Sequence, residues 1–533
     1  MALIHSVTIS SPRLRWRPAG ASQQAPERPL QASRAARAVR LAAALAGLAA
    51  IGAYLFIALS RLGYPFEVEG LESNSLVEVH RILAGQPLYP APTAAYVPDG
   101  YPPLYFFVSA GVARVLGVSY LSLRLVSLVS SLVCFTVLGR LVQRETGSIA
   151  AGVAAAGVFA ATYCATDTWF DVGRVDSLFL ALSIGGLYAA RWMRGTRGAI
   201  AAGVLLAAAA LTKQTGLAEA VAVIAVLLPG SRRGLAWVVA LAGATVLGVS
   251  TLVLQLAGGG WYVFYVFRLM SEHSLTGSNF GWFWTALLST LSLAGCAALV
   301  SARRVPPVLL AGCGALAVEG YAALVHSEGG INDVLPAYLA VALLAGLALG
   351  SNGPARWTAT AAGVLVLAQL ALLLSGFRPA PAIPTAADRA VGVRLIAGMR
   401  ALGGTVAFPA DPGLSLLAGM TPVAHVDAAH DVLRATDRGA IASFRRTAAA
   451  AVAARAFSAI ITDRPGAPLG YPASLNQYYR ECPQPLLAGA PVGLFRPVAG
   501  EKIRPFAVWL PQGRGSCPAA VRLLDGAGRK GRQ

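Results

Sequence analysis

The chain has 533 residues, 56% of them hydrophobic and 13% charged, with a mean hydropathy of +0.61. That composition is that of a polytopic membrane protein and excludes an ordinary soluble domain. The net charge of +19 comes from short arginine clusters between apolar runs, not from one basic surface; this argues against nucleic acid as a partner and suits basic loops retained in the cytoplasm.

Residues 1 to 37 are polar, rich in proline and arginine, and read as a disordered cytoplasmic arm. The apolar run from Ala38 to Ser60 is long enough to span a bilayer and is predicted to run from inside to outside. Residues 61 to 118 are then an external loop, holding Glu67, Glu69, Glu72, Glu78 and Asp99. Carboxylates at a membrane edge are costly to desolvate and mark a site or a watery cavity. A helix is expected from Gly70 to Leu83, with Glu69 and Glu72 on one face; Gly85 stops it, and prolines lead the chain to Tyr101-Pro102-Pro103-Leu104. Pro103 to Gly117, at about 22 Å, is too short for a crossing and is read as lying in the outer interface.

Further spans are expected at Leu121 to Leu141, Ile149 to Trp169, Leu178 to Trp192, Ala199 to Leu211, Leu217 to Leu228 and Leu235 to Leu256. An aromatic loop with Glu272 and His273 follows, then spans at Phe283 to Val300, Val308 to Val325, Leu335 to Leu349 and Trp357 to Leu374. With about eleven crossings, the arginine clusters all fall inside and the C-terminal region outside. The stretch from Thr385 to Leu510 does not continue the apolar pattern: Thr385 and Asp388 make a capping box, and Thr405 to Phe408 and Ala459 to Thr462 read as buried strands. Domains are therefore expected at 38–376 (membrane) and 385–510 (a small external α/β domain), with a loose basic tail at 511–533. Little in the external domain reads as catalytic. Six cysteines show no zinc or CxxC spacing; Cys482 and Cys517, the pair in soluble sequence, are expected to bond in an oxidising exterior.

On this path the outer face collects Glu67, Glu69, Glu72, Asp171, Asp176, Lys213, Glu272, His273, His326 and Asn332. A carboxylate can take the proton of an attacking hydroxyl and cations can stabilise a departing phosphate, so the set suits group transfer from an anionic lipid. Glu219 and Glu319 lie within spans and are expected to pair inside the bundle.

The acidic first loop ending in Tyr-Pro-Pro-Leu, Arg174-Val175-Asp176, Leu211-Thr212-Lys213 and Asn332 before Leu335-Pro336 together resemble the GT-C membrane glycosyltransferases, over roughly residues 38 to 375. The likeness is to the branch of the aminoarabinose transferases and the protein O-mannosyltransferases. It implies an α-helical polytopic fold with interfacial helices, and inverting transfer of a sugar from a polyprenyl-phosphate donor to a hydroxyl of a glycan, lipid or protein acceptor at the outer face of a bacterial inner membrane. By resemblance Glu69 is the base, with Glu67 and Glu72 as rivals, and Asp176 is the second acidic station. Tyr101, Asp171, Arg174, Lys213, Glu272, His273, His326 and Asn332 are the expected substrate contacts. No metal ligands are assigned and a divalent cation is left open. Two features depart from the pattern: Glu-Val-Glu replaces the commoner Asp-Glu, and Pro102 stands where the aminoarabinose enzymes have lysine. A transporter or flippase is the alternative, though its polar groups would sit at the midplane.

Overall fold

The computed structural model describes residues 34–351, 356–468 and 470–526. Most of the expected N-terminal arm and the end of the tail lie outside the described residues.

The membrane part is α1 (Arg34–Arg61), α2 (Glu72–Leu83), α3 (Leu104–Leu116), α4 (Tyr120–Thr146), α5 (Ile149–Ala161), α6 (Asp176–Trp192), α7 (Gly195–Ala210), α8 (Leu217–Leu227), α9 (Arg233–Ala257), α10 (Gly277–Ser301), α11 (Pro307–Leu324), α12 (Leu335–Gly350) and α13 (Arg356–Ser375). Each of the eleven apolar segments forms a helix. Eight are long and apolar enough to cross a membrane: α1, α4, α5 with its 3-10 extension, α9, α10, α11, α12 with the turn before it, and α13. The other three are shorter, α6 with 17 residues, α7 with 16 and α8 with 11. For α7 and α8 the shortness has a local cause, for the chain leaves α7 through Lys213 in an extended conformation and re-enters through a 3-10 turn at Gln214–Gly216. Helices pack closely where side chains are absent: a Cβ on Gly157 of α5 would collide with Gly47 of α1.

Glu219 and Glu319 meet inside the bundle, Glu319 Oε1 accepting from the Glu219 amide at 3.1 Å. The acidic loop folds onto two buried guanidiniums. Arg61, at the end of α1, binds Asp171 Oδ1 and Oδ2 at 2.8 and 2.9 Å and the Thr168 carbonyl at 2.6 Å. Arg124, from α4, binds Glu72 and the carbonyls of Tyr64 and Phe66. The expected helix over residues 70 to 83 begins only at Glu72, because Glu69 and Gly70 form the turn before it, the Glu72 amide donating to the Glu69 carbonyl at 3.1 Å. Glu69 and Glu72 therefore do not share a helix face.

The C-terminal domain holds α14 (Ala386–Leu402), β1 (Val406–Ala407), α15 (Pro412–Leu417), α16 (Val426–Arg434), α17 (Arg438–Ala453), β2 (Ala459–Thr462), α18 (Leu475–Tyr478), β3 (Tyr479–Glu481), β4 (Ala507–Pro511) and α19 (Cys517–Asp525). Its sheet has the order β1-β2-β4-β3, β1 parallel to β2 and the other pairs antiparallel. The capping box forms, the Thr385 hydroxyl accepting from the Asp388 amide at 3.2 Å. Cys482 and Cys517 are bonded, their Cα atoms 5.3 Å apart. Part of the tail expected to be loose is ordered instead: Ala520, Val521 and Leu524 of α19 are buried, and the disulfide fixes the start of that helix.

Candidate functional site

A cavity of about 850 Å³ opens between the loop side of the bundle and the C-terminal domain. Glu69, Tyr101, Arg174, Lys213, His273, His326 and Asn332 line it, so seven of the twelve candidate residues meet around one space although they come from separate loops.

Glu69 is 1% exposed, and its Oε2 accepts from the Leu71 amide at 3.1 Å. Arg174 Nε lies 3.8 Å from the same oxygen. Burial pushes the Glu69 carboxyl up to about 8; Arg174 pulls it down, and the carboxylates of Glu72 and Glu501 add to the rise. Arg174 is held from the other side, Nη1 donating to Asp99 Oδ2 and to the Leu71 carbonyl, each at 3.2 Å. Its guanidinium stands over the Tyr101 ring at 5.4 Å, and its Nε makes no hydrogen bond.

Lys213 reaches the cavity from the break between α7 and α8. Its Nζ donates to Asp176 Oδ1 at 2.9 Å and to Asp333 Oδ1 at 2.8 Å. The indole N–H of Trp169 holds the other Asp176 oxygen at 2.7 Å, and the Gly330 amide holds the other Asp333 oxygen at 3.1 Å. This cation is thus fixed by two carboxylates that are themselves fixed. His273 and His326 stand with ring centres 6.3 Å apart; burial lowers the His326 pKa and His273 lowers it further.

Five candidates do not line the cavity. Glu67 accepts from the Ser73 amide at 2.7 Å and faces a small void beside Asp411 and Phe408. Glu72 is spent on Arg124, on the Gly173 amide at 2.6 Å and on the Val68 amide at 2.8 Å. Asp171 is the partner of Arg61, and Asp176 touches the site through Lys213. Glu272 binds the amide and hydroxyl of Thr436, both at 2.6 Å, which latches the aromatic loop to the C-terminal domain.

Other lining residues were not among the candidates. Asp99 was visible in the acidic cluster, and its partners Asn74 and Arg174 explain its place. Asp333 is adjacent to Asn332 and becomes distinct only through Lys213. Asp427, His430, Asp431 and Glu501 come from the domain in which little reads as catalytic; no local motif marks them, because the fold alone brings them there. Among the described residues, no group of three or more His, Cys, Asp or Glu side chains is arranged to hold a metal ion.

The model of the dolichyl-phosphate-mannose-protein mannosyltransferase family matches residues 100–255. Among solved structures, the oligosaccharyltransferase AglB from Archaeoglobus fulgidus, in complex with an inhibitory peptide and a dolichol-phosphate, is similar at a TM-score of 0.51 and 11% identity, over 80% of this chain and 69% of that one. ArnT from Cupriavidus metallidurans, bound to undecaprenyl phosphate, is similar at a TM-score of 0.47 and 15% identity, over 71% of this chain and 74% of that one. No curated protein matches the chain.

Proposed function

From the GT-C membrane fold of this chain, we propose that it is an integral membrane glycosyltransferase, moving one sugar from a polyprenyl-phosphate donor to an acceptor hydroxyl at the extracytoplasmic face. One observation carries the reading: Glu69 opens on the same cavity as two cations, Arg174 and Lys213. Asp99, the other first-loop carboxylate on that wall, is engaged by Asn74 and Arg174.

The chemistry follows from the placement. The acceptor oxygen attacks the anomeric carbon while Glu69 takes its proton. The new C–O bond forms on the face opposite the breaking bond to phosphate, so configuration inverts, and the bonding pair leaves with the polyprenyl phosphate. Arg174, whose Nε makes no hydrogen bond, and Lys213 stabilise the charge on the departing phosphate. Val266, Phe267, Met270 and Trp282 give the wall an apolar side for the isoprenoid tail. The topology that suits this chemistry puts the cavity and the C-terminal domain outside an inner membrane, with the N-terminus in the cytoplasm.

The test incubates purified protein with radiolabelled polyprenyl-phosphate sugars and follows release of polyprenyl phosphate. Cleavage that stops in the Glu69→Gln protein supports the reading. Movement of the intact lipid across a vesicle without cleavage replaces it with a transporter.

A further inference from the structure

The cavity has two unlike walls. The aromatic loop and α10 contribute the apolar side chains, whereas Asp427, Asp431 and Glu501 face it from the C-terminal domain and Glu328 from the connection after α11. Two of these four carboxylates are compensated, since Arg434 donates to Asp431 at 2.6 Å and to Glu328 at 2.7 Å. The other two differ. Among the described residues neither the Glu501 nor the Asp427 carboxylate accepts a hydrogen bond; His425 Nδ1 lies 3.7 Å from Asp427 but accepts that residue's amide and so has no proton to give. Burial raises the Glu501 carboxyl to about 7, and Asp427 and Glu328 push it the same way. Beside them His273, its side chain 10% exposed, presents an Nε2 without a hydrogen bond, 3.2 Å from Asp431 Oδ1 but off the line that a bond requires.

This wall adjoins the base directly. Ala499 pairs with Glu69 in a single parallel bridge, its amide donating to the Val68 carbonyl at 2.8 Å. Gly500 follows at φ +61°, where a Cβ would collide with the Glu69 carboxylate. Glu501 is the next residue, so an acceptor whose hydroxyl reaches Glu69 presents its neighbouring groups to Glu501.

We propose that Glu501 and Asp427, with His273 beside them, form the acceptor subsite, and that the acceptor is a neutral saccharide whose adjacent hydroxyls donate to these carboxylates. The inference rests on the glycosyltransferase reading and names the acceptor class within it. Once ionised, as Glu501 is above about pH 7, carboxylates only accept hydrogen bonds, so their complement is a cluster of donors. An anionic acceptor, such as a phosphorylated lipid or an acidic peptide, meets like charge. A cationic one approaches two cations behind the lining, Arg434 on Asp431 and Glu328, and Lys502, 3.4 Å from Asp167. A polyol meets neither.

The test measures binding of a neutral disaccharide glycoside and of its 6-phosphate to the full-length protein in phospholipid nanodiscs, by saturation-transfer NMR, alongside transfer from labelled donor. The neutral glycoside is expected to bind about tenfold more tightly than the phosphate, and Glu501→Gln and Asp427→Asn each to weaken it by about tenfold. Glu501→Lys is expected to shift preference toward the phosphate. Equal binding of the two glycosides, no binding of the neutral one, or wild-type binding by both conservative variants overturns the subsite. Intact, variant-sensitive binding without donor cleavage supports the subsite and overturns the glycosyltransferase reading instead.

Discussion

Arg124 and Glu72 hold each other through two hydrogen bonds, Nη2 to Oε2 at 2.6 Å and Nε to Oε1 at 2.9 Å, and both side chains are fully buried. The same guanidinium also takes the carbonyls of Tyr64 and Phe66, so one side chain folds the whole connection between α1 and α2. Breaking such a pair from one side leaves an uncompensated charge and costs about 3–5 kcal/mol. Glu72→Gln and Arg124→Leu are therefore expected to lower the melting temperature of the purified protein, while Glu69→Gln leaves it close to wild type. Should Glu72→Gln melt normally and lose transfer selectively, Glu72 and not Glu69 is the base.

As the proposed base, Glu69 would tie activity to pH with a definite sign. A base must be ionised, and this carboxyl sits at about 8, far above the roughly 4.3 of a free glutamate. Transfer is expected to rise with pH through 8 and to fall about tenfold for each unit below it. Glu69→Gln should lose about 10²- to 10⁴-fold in rate and also lose that limb of the profile. A wild-type profile that is level from about pH 6 to about pH 9 removes Glu69 from the role.

The proposed phosphate contact of Lys213 is separable from its pairing with Asp176 and Asp333. Lys213→Met deletes the cation and leaves Asp176 facing Asp333, so both transfer and melting temperature are expected to drop. Adding Asp333→Asn removes one of the two opposed charges and should recover much of the melting temperature without restoring transfer, which falls about 10²-fold or more when a charge-stabilising donor is lost. Recovery of full transfer in the double variant assigns Lys213 to structure alone.

The bond between Cys482 and Cys517 closes a loop with a sequence separation of 35. Cys517→Ser is expected to cost the C-terminal domain about 2–4 kcal/mol, read as earlier proteolysis near α19 under limited trypsin. Digestion patterns identical with and without the bond exclude a stabilising role.

The sequence makes the apolar helices legible because hydropathy reports their apolar character directly. It also marks which loops carry the polar groups. What it does not separate is Glu69 from Glu67 and Glu72. All three are buried, at 1%, 6% and 0% exposed, and their roles differ only through partners far away in the chain, Arg124 for Glu72, the Asp411 side of the domain for Glu67 and Arg174 for Glu69. Arg124 lies within the expected span Leu121 to Leu141, and only its acceptors give it a role. The acidic wall of the cavity is invisible for the same reason, since Asp427 and Glu501 stand in ordinary soluble sequence and acquire meaning from Ala499 docking on Glu69.

That docking also orders events during biosynthesis. Residues 69 and 499 are joined by one bridge across more than four-fifths of the chain, so the pocket around Glu69 lacks that wall until the C-terminal domain has been made and folded. A growing chain carries the carboxylate early but encloses it late, and cutting the chain anywhere before Ala499 leaves the bundle without the segment that shuts this pocket.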